Sequence, residues 1–238
     1  MRTHHFIPVL LILLSTILLS ACDVIGASAS TSLGAITPID TSASTLMVTI
    51  GITEDQDATD GRSNITFQFR TAVVEEDNAV RFAHQEAVTC NGVTVKLNDA
   101  PTYTLSVAQG GYICSYTGYT QGIGRLTPVT MIDVAARSRL SPQPPSVSSK
   151  GYTISYIPDS RARACPTTAD AIDGTNSVIA GSASSSDLGV YQGPATSSLT
   201  GPGTIRLHRT CSWTLHGPFD MMCLTYQSAA SVAVTWSH

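Results

Sequence analysis

Three aspartates stand close together in one predicted loop and could bind a metal ion. Asp55, Asp57 and Asp60 are followed directly by Gly61. Carboxylates at nearly alternate positions, followed by a glycine that allows a sharp turn, are the oxygen ligands that Ca²⁺ needs. No glutamate closes the loop at the position where a second oxygen pair is usually supplied. The residues favour a solvated acidic turn, with a Ca²⁺ site as the alternative, and no other cofactor is expected.

Catalysis by a nucleophile has little support in the sequence. The histidines beyond the N-terminal segment are His84, His208, His216 and His238. A general base must lie beside a nucleophile and be oriented by an acid, and nothing in the sequence places one of these histidines in that way. The sequence contains no GxSxG, HExxH or P-loop motif. The histidines are therefore interpreted as surface or strand-edge residues, and no catalytic residue is assigned.

The first 22 residues carry the most specific chemical signal. A short basic start with Arg2 precedes an apolar run from Phe6 to Leu19, which ends in Leu19-Ser20-Ala21-Cys22. This order is that of an export signal, and the run is shorter than the roughly 20 apolar residues that a transmembrane helix needs. The sequence Leu-Ser-Ala-Cys resembles the lipobox of bacterial lipoproteins.

The lipobox resemblance implies a membrane anchor. In that family the signal is cleaved before the cysteine, which here places the cut between Ala21 and Cys22. The cysteine thiolate takes a diacylglyceryl group as a thioether, and two or three acyl chains hold a protein stably on a bilayer. The implied partner is thus a membrane, and the implied location is its extracytoplasmic face.

Five cysteines remain for disulfide bonds once Cys22 carries a lipid, and they are Cys90, Cys114, Cys165, Cys211 and Cys223. In an exported protein such thiols are expected to oxidise. If the chain turns at Gly217, Cys211 and Cys223 face each other across a hairpin, and this pair is predicted. The alternatives join Cys165 to Cys211 or to Cys223. Because five is odd, one thiol should be left over, and Cys165 is the expected one.

Composition fits an exported surface protein and excludes a nucleic-acid partner. Charged residues make up 13% of the 238 residues, about half the share of roughly 25% in ordinary soluble proteins. The formal net charge is −4. Because no basic stripe is present, the chain lacks the electrostatic footprint of a protein that binds nucleic acid.

Strand patterns fill the chain after residue 44, and no helical period occurs. Asn64 to Arg70 alternates the apolar residues Ile65, Phe67 and Phe69 with polar ones, as in a half-buried strand. Asn91-Gly92 separates two β-prone runs and predicts a hairpin, because both residues tolerate positive φ. Further strands are predicted at 45–50, 102–107, 111–119, 126–136, 151–158, 204–213, 221–228 and 231–237. The predicted fold class is all-β.

Domain boundaries follow from composition. Residues 1–21 are the signal peptide, and 22–43, rich in Ser, Ala and Thr, predict a flexible tether. The Pro-rich stretch 141–146 predicts a break between strand series. The remaining chain divides into a first β-sandwich at 44–140 and a second at 141–238, each near the roughly 100 residues of an immunoglobulin-type domain.

The segment Gly110-Gly111-Tyr112-Ile113-Cys114 resembles the start of strand F in the immunoglobulin superfamily. There a tyrosine two positions before a cysteine forms the tyrosine corner. The resemblance implies that Tyr112, Cys114 and Tyr116 share one face. Cys90 is too close upstream for the usual bridge between sheets, so a Cys90–Cys114 bond would join neighbouring strands. We therefore expect two Ig-like or fibronectin-like antiparallel β-sandwiches in tandem.

The sequence predicts a lipid-anchored extracytoplasmic protein that is non-catalytic and binds or spaces a surface or wall ligand of unknown identity. The alternative is an exported hydrolase of cell-wall or glycan substrates, with its site in residues 159–203, which are rich in Gly, Ser, Ala and Asp. That alternative requires a concave pocket with converging Asp, Glu or His side chains. Trp213 and Trp236 are expected to fill the second core.

Overall fold

The computed structural model describes residues 46–71, 82, 86–98, 100, 102–120, 125–148, 150–159, 165–182, 188–215, 219 and 221–236. The predicted signal peptide, Cys22 and the tether lie outside the described residues. Every regular element in the described part is a β-strand. That part of the chain also holds no helix with the length and apolar character needed to cross a bilayer.

Fourteen strands lie among the described residues. The strands up to the Pro-rich stretch are β1 (Leu46–Asp55), β2 (Arg62–Thr71), β3 (Ala87–Cys90), β4 (Val93–Lys96), β5 (Tyr103–Ala108), β6 (Tyr112–Thr120) and β7 (Arg125–Val134). The later strands are β8 (Ser146–Ser148), β9 (Gly151–Ser155), β10 (Thr167–Asp173), β11 (Val178–Ala180), β12 (Val190–Gly193), β13 (Gly201–Leu215) and β14 (Met221–Trp236).

The strands form one large sheet and two small ones. The large sheet has seven strands in the order β11-β10-β13-β14-β1-β2-β5. Its pairs are antiparallel except β1 with β14, which run parallel. A four-stranded sheet has the order β4-β3-β6-β7, and a three-stranded sheet has the order β12-β9-β8. Each small sheet covers a different half of the large one.

The first core lies between the large sheet and the four-stranded sheet. Alternate residues of β1 and β2, such as Ile50, Ile65 and Phe67, are fully buried against Val88 and Cys114 of the opposite sheet. This alternation is the one that the sequence shows in residues 64–70, because successive side chains of a strand point to opposite faces. Tyr112, Cys114 and Tyr116 share the buried face of β6, as the sequence implies.

The second core lies between the other half of the large sheet and the three-stranded sheet. Tyr152 and Ile154 of β9 pack against Ala171, Leu207 and Trp236 of the large sheet. Tyr152 lies edge-on to Trp236, with ring centroids 6.2 Å apart. The all-β fold with two sandwiches in tandem is therefore confirmed.

The two sandwiches share their longest strands. β14 contributes Leu224 and Tyr226 to the first core, then Ala230 and Trp236 to the second. β13 and β14 pair with each other over the whole length of β13, from Gly201 opposite Trp236 to Leu215 opposite Met222. The first core thus takes residues from both sides of the Pro-rich stretch. A boundary at residue 141 between separately folding domains stays a prediction.

Several predicted elements can be compared directly with the structure. The Asn91-Gly92 hairpin is present, with Cys90 opposite Val93 and positive φ at both turn residues. The predicted strands 221–228 and 231–237 are instead one strand, because Ala229 and Ala230 continue the ladder opposite His208 and Leu207. Ala229 and Ala230 are small and interrupt the strand pattern in the sequence. Their backbone groups nevertheless form hydrogen bonds in the ladder as those of any other residue do.

Candidate functional site

Two of the three aspartates of the predicted Ca²⁺ loop, Asp55 and Asp60, have other partners for their carboxylates. Asp55 ends β1, and its Oδ2 accepts a hydrogen bond from Arg206 Nη2 at 2.8 Å. Asp55 Oδ1 accepts from the backbone N–H of Asp57, and Asp60 Oδ1 accepts from the backbone N–H of Arg62. The described residues contain no group of three or more His, Cys, Asp or Glu side chains placed to hold a metal ion. The structure therefore does not bring these carboxylates together around a cation.

The Cys90–Cys114 bond joins neighbouring strands, as the short separation of 24 residues predicts. The two residues lie directly opposite each other on β3 and β6, with Cα atoms 4.1 Å apart. Both side chains are buried in the first core. The bond therefore ties the four-stranded sheet together and does not connect it to the large sheet.

The predicted Cys211–Cys223 pair is wrong, and so is the expectation that Cys165 is left over. Cys211 is bonded to Cys165, which lies just before β10. The reason is register, because Cys211 faces Tyr226 across the β13–β14 ladder while Cys223 faces Thr214. The hairpin turns further along the chain than Gly217, so the two cysteines never meet. No described cysteine is a free thiol.

A buried carboxylate lies near the C-terminal end of β1. Glu54 is 6% exposed, and its Oε2 accepts hydrogen bonds from the hydroxyl groups of Tyr112 at 2.7 Å and Tyr226 at 3.1 Å. The Tyr112 hydroxyl also lies 2.8 Å from the hydroxyl of Ser63. Buried polar groups are stable only when they are hydrogen-bonded, and the two phenols supply the carboxylate with donors from two other strands.

The protonation of the two phenols is fixed by their surroundings. Burial raises the pKa of Tyr226 and of Tyr112 well above the usual value. The charge of Glu54 raises both pKa values further, since a phenolate would face a second negative charge. The phenols are therefore held as donors to the carboxylate at any physiological pH.

A second set of buried polar contacts joins the two cores. Arg209 of β13 is fully buried, and its guanidinium donates to the backbone carbonyls of Ser138 at 3.0 Å and Ile157 at 2.7 Å. Gln56 Oε1 accepts from the backbone N–H of Leu140, whose side chain belongs to the second core. These contacts fix the segment after β7 against both sandwiches, so the junction is a packed part of the fold.

The outer face of the large sheet carries a polar cleft of about 710 Å³. Its floor forms at Ala229 of β14, which lies opposite His208 on β13 and opposite Asp55 on β1. β13 and β1 form the walls of the cleft and are two strand spacings apart, roughly 10 Å. Because the side chain of Ala229 is a single methyl group, the space between these two strands stays open. The cleft is lined by Thr53, Glu54, Asp55, Asn64, Asp170, Arg206, His208, Thr210, Gln227, Ser228 and Ala229.

Charged side chains around the cleft pair with one another. Arg206 reaches from β13 across β14 to Asp55, and His208 Nε2 lies 3.3 Å from Asp170 Oδ2 of β10. All four side chains are about two-fifths exposed, between 35% and 42%. Asp170 lies within residues 159–203, where the hydrolase alternative places its site, and His208 lies outside that stretch.

The described cleft lacks the nucleophile that would make the His208–Asp170 pair catalytic. Ser228 is buried, and it shares its face of β14 with Tyr226 and Ala230, which belong to the cores. Strand alternation therefore turns the Ser228 hydroxyl toward the interior. Thr210 lies two residues from His208, about 7 Å along the strand. Nε2 of His208 faces the Asp170 carboxylate and not a hydroxyl group of the described residues. His84, His216 and His238 lie outside the described residues.

The expectation that both tryptophans fill the second core is wrong for Trp213. Trp236 packs in the second core as predicted, but Trp213 packs against the first core. The guanidinium of Arg137 lies over the Trp213 ring, 4.9 Å from its centroid. Because the indole face is covered by this cation–π contact, Trp213 is not open to stack on a sugar ring.

Comparisons with known proteins returned distant structural neighbours alone. No protein-family model matches the chain, and no curated protein matches it. A two-domain fibronectin type-III segment of chicken tenascin is 12% identical, covers 73% of this chain and 92% of its own, and gives a TM-score of 0.31.

Two further neighbours are similarly distant. A tetra-tandem repeat from the extending region of a large adhesion protein is 17% identical, with a TM-score of 0.28; the match covers 81% of this chain and 50% of that one. The chicken CNTN1 FN1–FN3 domains are 11% identical, with a TM-score of 0.26 and coverage of 79% and 63%. The fold is therefore defined by the chain's own sheets, as two β-sandwiches that share two long strands.

Proposed function

We propose that this protein is exported, anchored to a membrane through a lipid on Cys22, and serves as a non-catalytic module that binds a ligand at the cell surface. The observation that carries the binding function is the open polar cleft on the outer face of the large sheet. Its charged groups pair with each other and not with a nucleophile, which suits reversible binding better than covalent catalysis.

The described disulfides support an extracytoplasmic location. Cys90–Cys114 and Cys165–Cys211 are both buried within the first core. Such bonds persist in oxidising compartments and are rare in a reducing cytosol. A fold that uses two of them in one core is therefore suited to the cell exterior, where the export signal would deliver it.

The shared strands support a second part of the proposal, that the module holds its binding face away from the membrane. β14 has 16 residues, which gives an element about 50 Å long. Arg209 and Gln56 fix the segment between the cores by hydrogen bonds. A continuous sheet with a packed junction does not bend at a hinge, so it holds its two ends at a fixed distance from each other.

Cell fractionation tests the anchor. The wild-type protein should sediment with membranes and should require detergent for release. Cys22→Ser, which removes the thiol that takes the lipid, should either release the protein to the soluble fraction or leave it unprocessed. Ser20→Thr keeps the cysteine and serves as the matched control. If Cys22→Ser is processed and still requires detergent for release, the lipid anchor is wrong.

The hydrolase alternative has one observation in its favour, the Asp170–His208 pair at the cleft. It is tested by incubating the mature protein with ester, peptide and glycoside substrates. The proposed binding function predicts no turnover of any substrate. Turnover that is lost in His208→Ala would replace the proposal with the hydrolase.

A further inference from the structure

The cleft on the outer face of the large sheet has a composition that points to one class of ligand. We infer that it binds a neutral, hydroxyl-rich ligand, such as a segment of a saccharide chain. This inference rests on the proposed binding function and names the ligand class of the same site. The charge and the hydrogen-bonding capacity of the cleft favour such a ligand.

Charge at the cleft disfavours an anionic ligand. Asp55 and Asp170 stand at opposite sides of the cleft, and Arg206 already neutralises Asp55 at 2.8 Å. His208 faces Asp170, with its Nε2 3.3 Å from Asp170 Oδ2. An anion would therefore have to displace a carboxylate from its partner. A neutral ligand can instead bind beside the existing pairs without breaking them.

Hydrogen-bonding capacity favours a ligand with hydroxyl groups. The lining offers carboxylate acceptors in Asp55 and Asp170, a guanidinium donor in Arg206, and amides in Asn64 and Gln227, which both donate and accept. A hydroxyl group also donates and accepts, so a ligand that presents several of them in a row can use both kinds of partner.

An unused hydrogen-bonding atom lies at the same place. Nε of Arg206 is buried and has no hydrogen-bond partner among the described residues. A buried polar atom without a partner costs free energy, so such an atom usually has an explanation in a bound water or ligand. The side chain that carries this atom lines the cleft.

Aromatic ligands are disfavoured by the lining. Ala229 is the only apolar residue that lines the described cleft, and no Phe, Tyr or Trp side chain does. The volume of about 710 Å³ lies within the range of roughly 300–1,000 Å³ for small-molecule sites. The cleft is therefore large enough for a short segment of a saccharide.

Calorimetric titration of the full mature protein in detergent tests the inference. The probes are neutral glucan oligosaccharides, neutral N-acetylated oligosaccharides, an acidic polyuronate oligomer and a basic peptide. A neutral oligosaccharide should bind, and Asp170→Asn should weaken that binding at least tenfold. Asp133→Asn removes an exposed carboxylate outside the cleft, and it should change binding less than twofold. Gln227→Ala, at an exposed position of the lining, should also weaken it.

Other outcomes overturn the inference and separate its failure from that of the proposed function. Binding of the basic peptide or the polyuronate alone would show that the ligand is charged. Binding of a neutral oligosaccharide that is unchanged in both cleft variants would place the site elsewhere. A parallel assay measures retention of the protein on delipidated envelope material before and after periodate, which cleaves vicinal diols. Retention that survives periodate and is not competed by either neutral oligosaccharide leaves the binding function standing and overturns the saccharide; no retention at all overturns both.

Discussion

At the residue scale, the polar groups of the interior matter most for stability. Glu54 is buried, and its charge is compensated only by hydrogen bonds from neighbouring side chains, chiefly the two phenols. The same carboxylate lies next to Asp55, whose side chain faces the outer cleft and pairs with Arg206. Strand alternation thus sends two adjacent acids to opposite faces, one to stabilise the core and one to line the cleft.

Tyr226→Phe should destabilise the protein, because it removes a donor from a buried carboxylate. Hydrogen bonds to charged groups contribute about 1.5–3 kcal/mol, so a loss of about 2 kcal/mol in the free energy of unfolding is expected. Tyr191→Phe is the control, since its hydroxyl donates at 2.8 Å to the neutral carbonyl of Ser182. That variant should lose about 1 kcal/mol. Urea unfolding measures both, and equal losses would contradict the importance of Glu54.

The raised pKa values of the buried phenols predict sensitivity to alkali. In the unfolded chain a tyrosine titrates near pH 10, and in the folded protein the pKa of Tyr112 and Tyr226 is higher. The folded state therefore keeps protons that the unfolded state loses. Stability from these groups is fully present below about pH 10 and declines as the pH rises above it.

Unfolding free energies measured from pH 8 to 11 check this decline. The wild-type protein should lose stability steadily above about pH 10. The Tyr112→Phe/Tyr226→Phe double variant should show a shallower decline, although Tyr152 and Tyr191, whose pKa values burial also raises, keep part of it. A double variant with the same slope as the wild type would show that these two phenols do not set the alkaline limit.

At the element scale, the Asn91-Gly92 hairpin tests how local sequence sets structure. Gly92 has a φ of 82° and open space around the position of an added Cβ. Gly92→Ala should therefore cost about 1 kcal/mol from backbone strain alone. Gly51→Ala is the matched control, because Gly51 lies in β1 without positive φ and the nearest side-chain atom is 3.9 Å from the added Cβ. Thermal unfolding should show a lower melting temperature for the first variant only.

The Cys165–Cys211 bond makes a second prediction about elements. It closes a loop of 46 residues between the start of β10 and β13. In the chain-entropy model such a closure stabilises a protein by about 4 kcal/mol. Peptide mapping without reduction should recover the 165–211 linkage, and Cys165→Ala/Cys211→Ala should unfold at a clearly lower urea concentration. A recovered Cys211–Cys223 linkage would contradict the register of the β13–β14 ladder.

The sequence predicts elements well where the signal is local. Alternation of Ile65, Phe67 and Phe69 predicts a half-buried strand, and Asn91-Gly92 predicts a hairpin; both are present. Long-range pairings leave no such signal. The contact between Arg206 and Asp55 joins residues 151 positions apart, and the parallel pairing of β1 with β14 joins the first and last described strands. The cleft depends on both, so the sequence alone could not reveal it.

At the scale of the whole molecule, the shared sheet makes the two sandwiches depend on each other. β1 lies between β2 and β14, and the first core includes Met222, Leu224 and Tyr226 from the last strand. A fragment of residues 44–140 would lack these side chains and would expose the edge of β1. Such an edge favours aggregation over independent folding.

The fragment test distinguishes a shared fold from separable domains. Residues 44–140 should show poor dispersion of amide resonances and no cooperative urea transition, whereas the full mature chain should unfold cooperatively. A cooperative transition in the fragment would instead support the boundary that the sequence predicts at residue 141. The fragment carries Cys90 and Cys114, so its oxidation state must be matched to that of the full protein.

The central claim, a surface binding module held on a membrane by lipid, is tested most directly by the intact mass of the mature protein purified from membranes. The account predicts a chain that begins at Cys22 and carries an added mass of at least one diacylglyceryl group on that residue. It also predicts the loss of at least four hydrogen masses, two through each of the Cys90–Cys114 and Cys165–Cys211 bonds. A mature chain that begins elsewhere, or that begins at Cys22 with no added lipid, would contradict it.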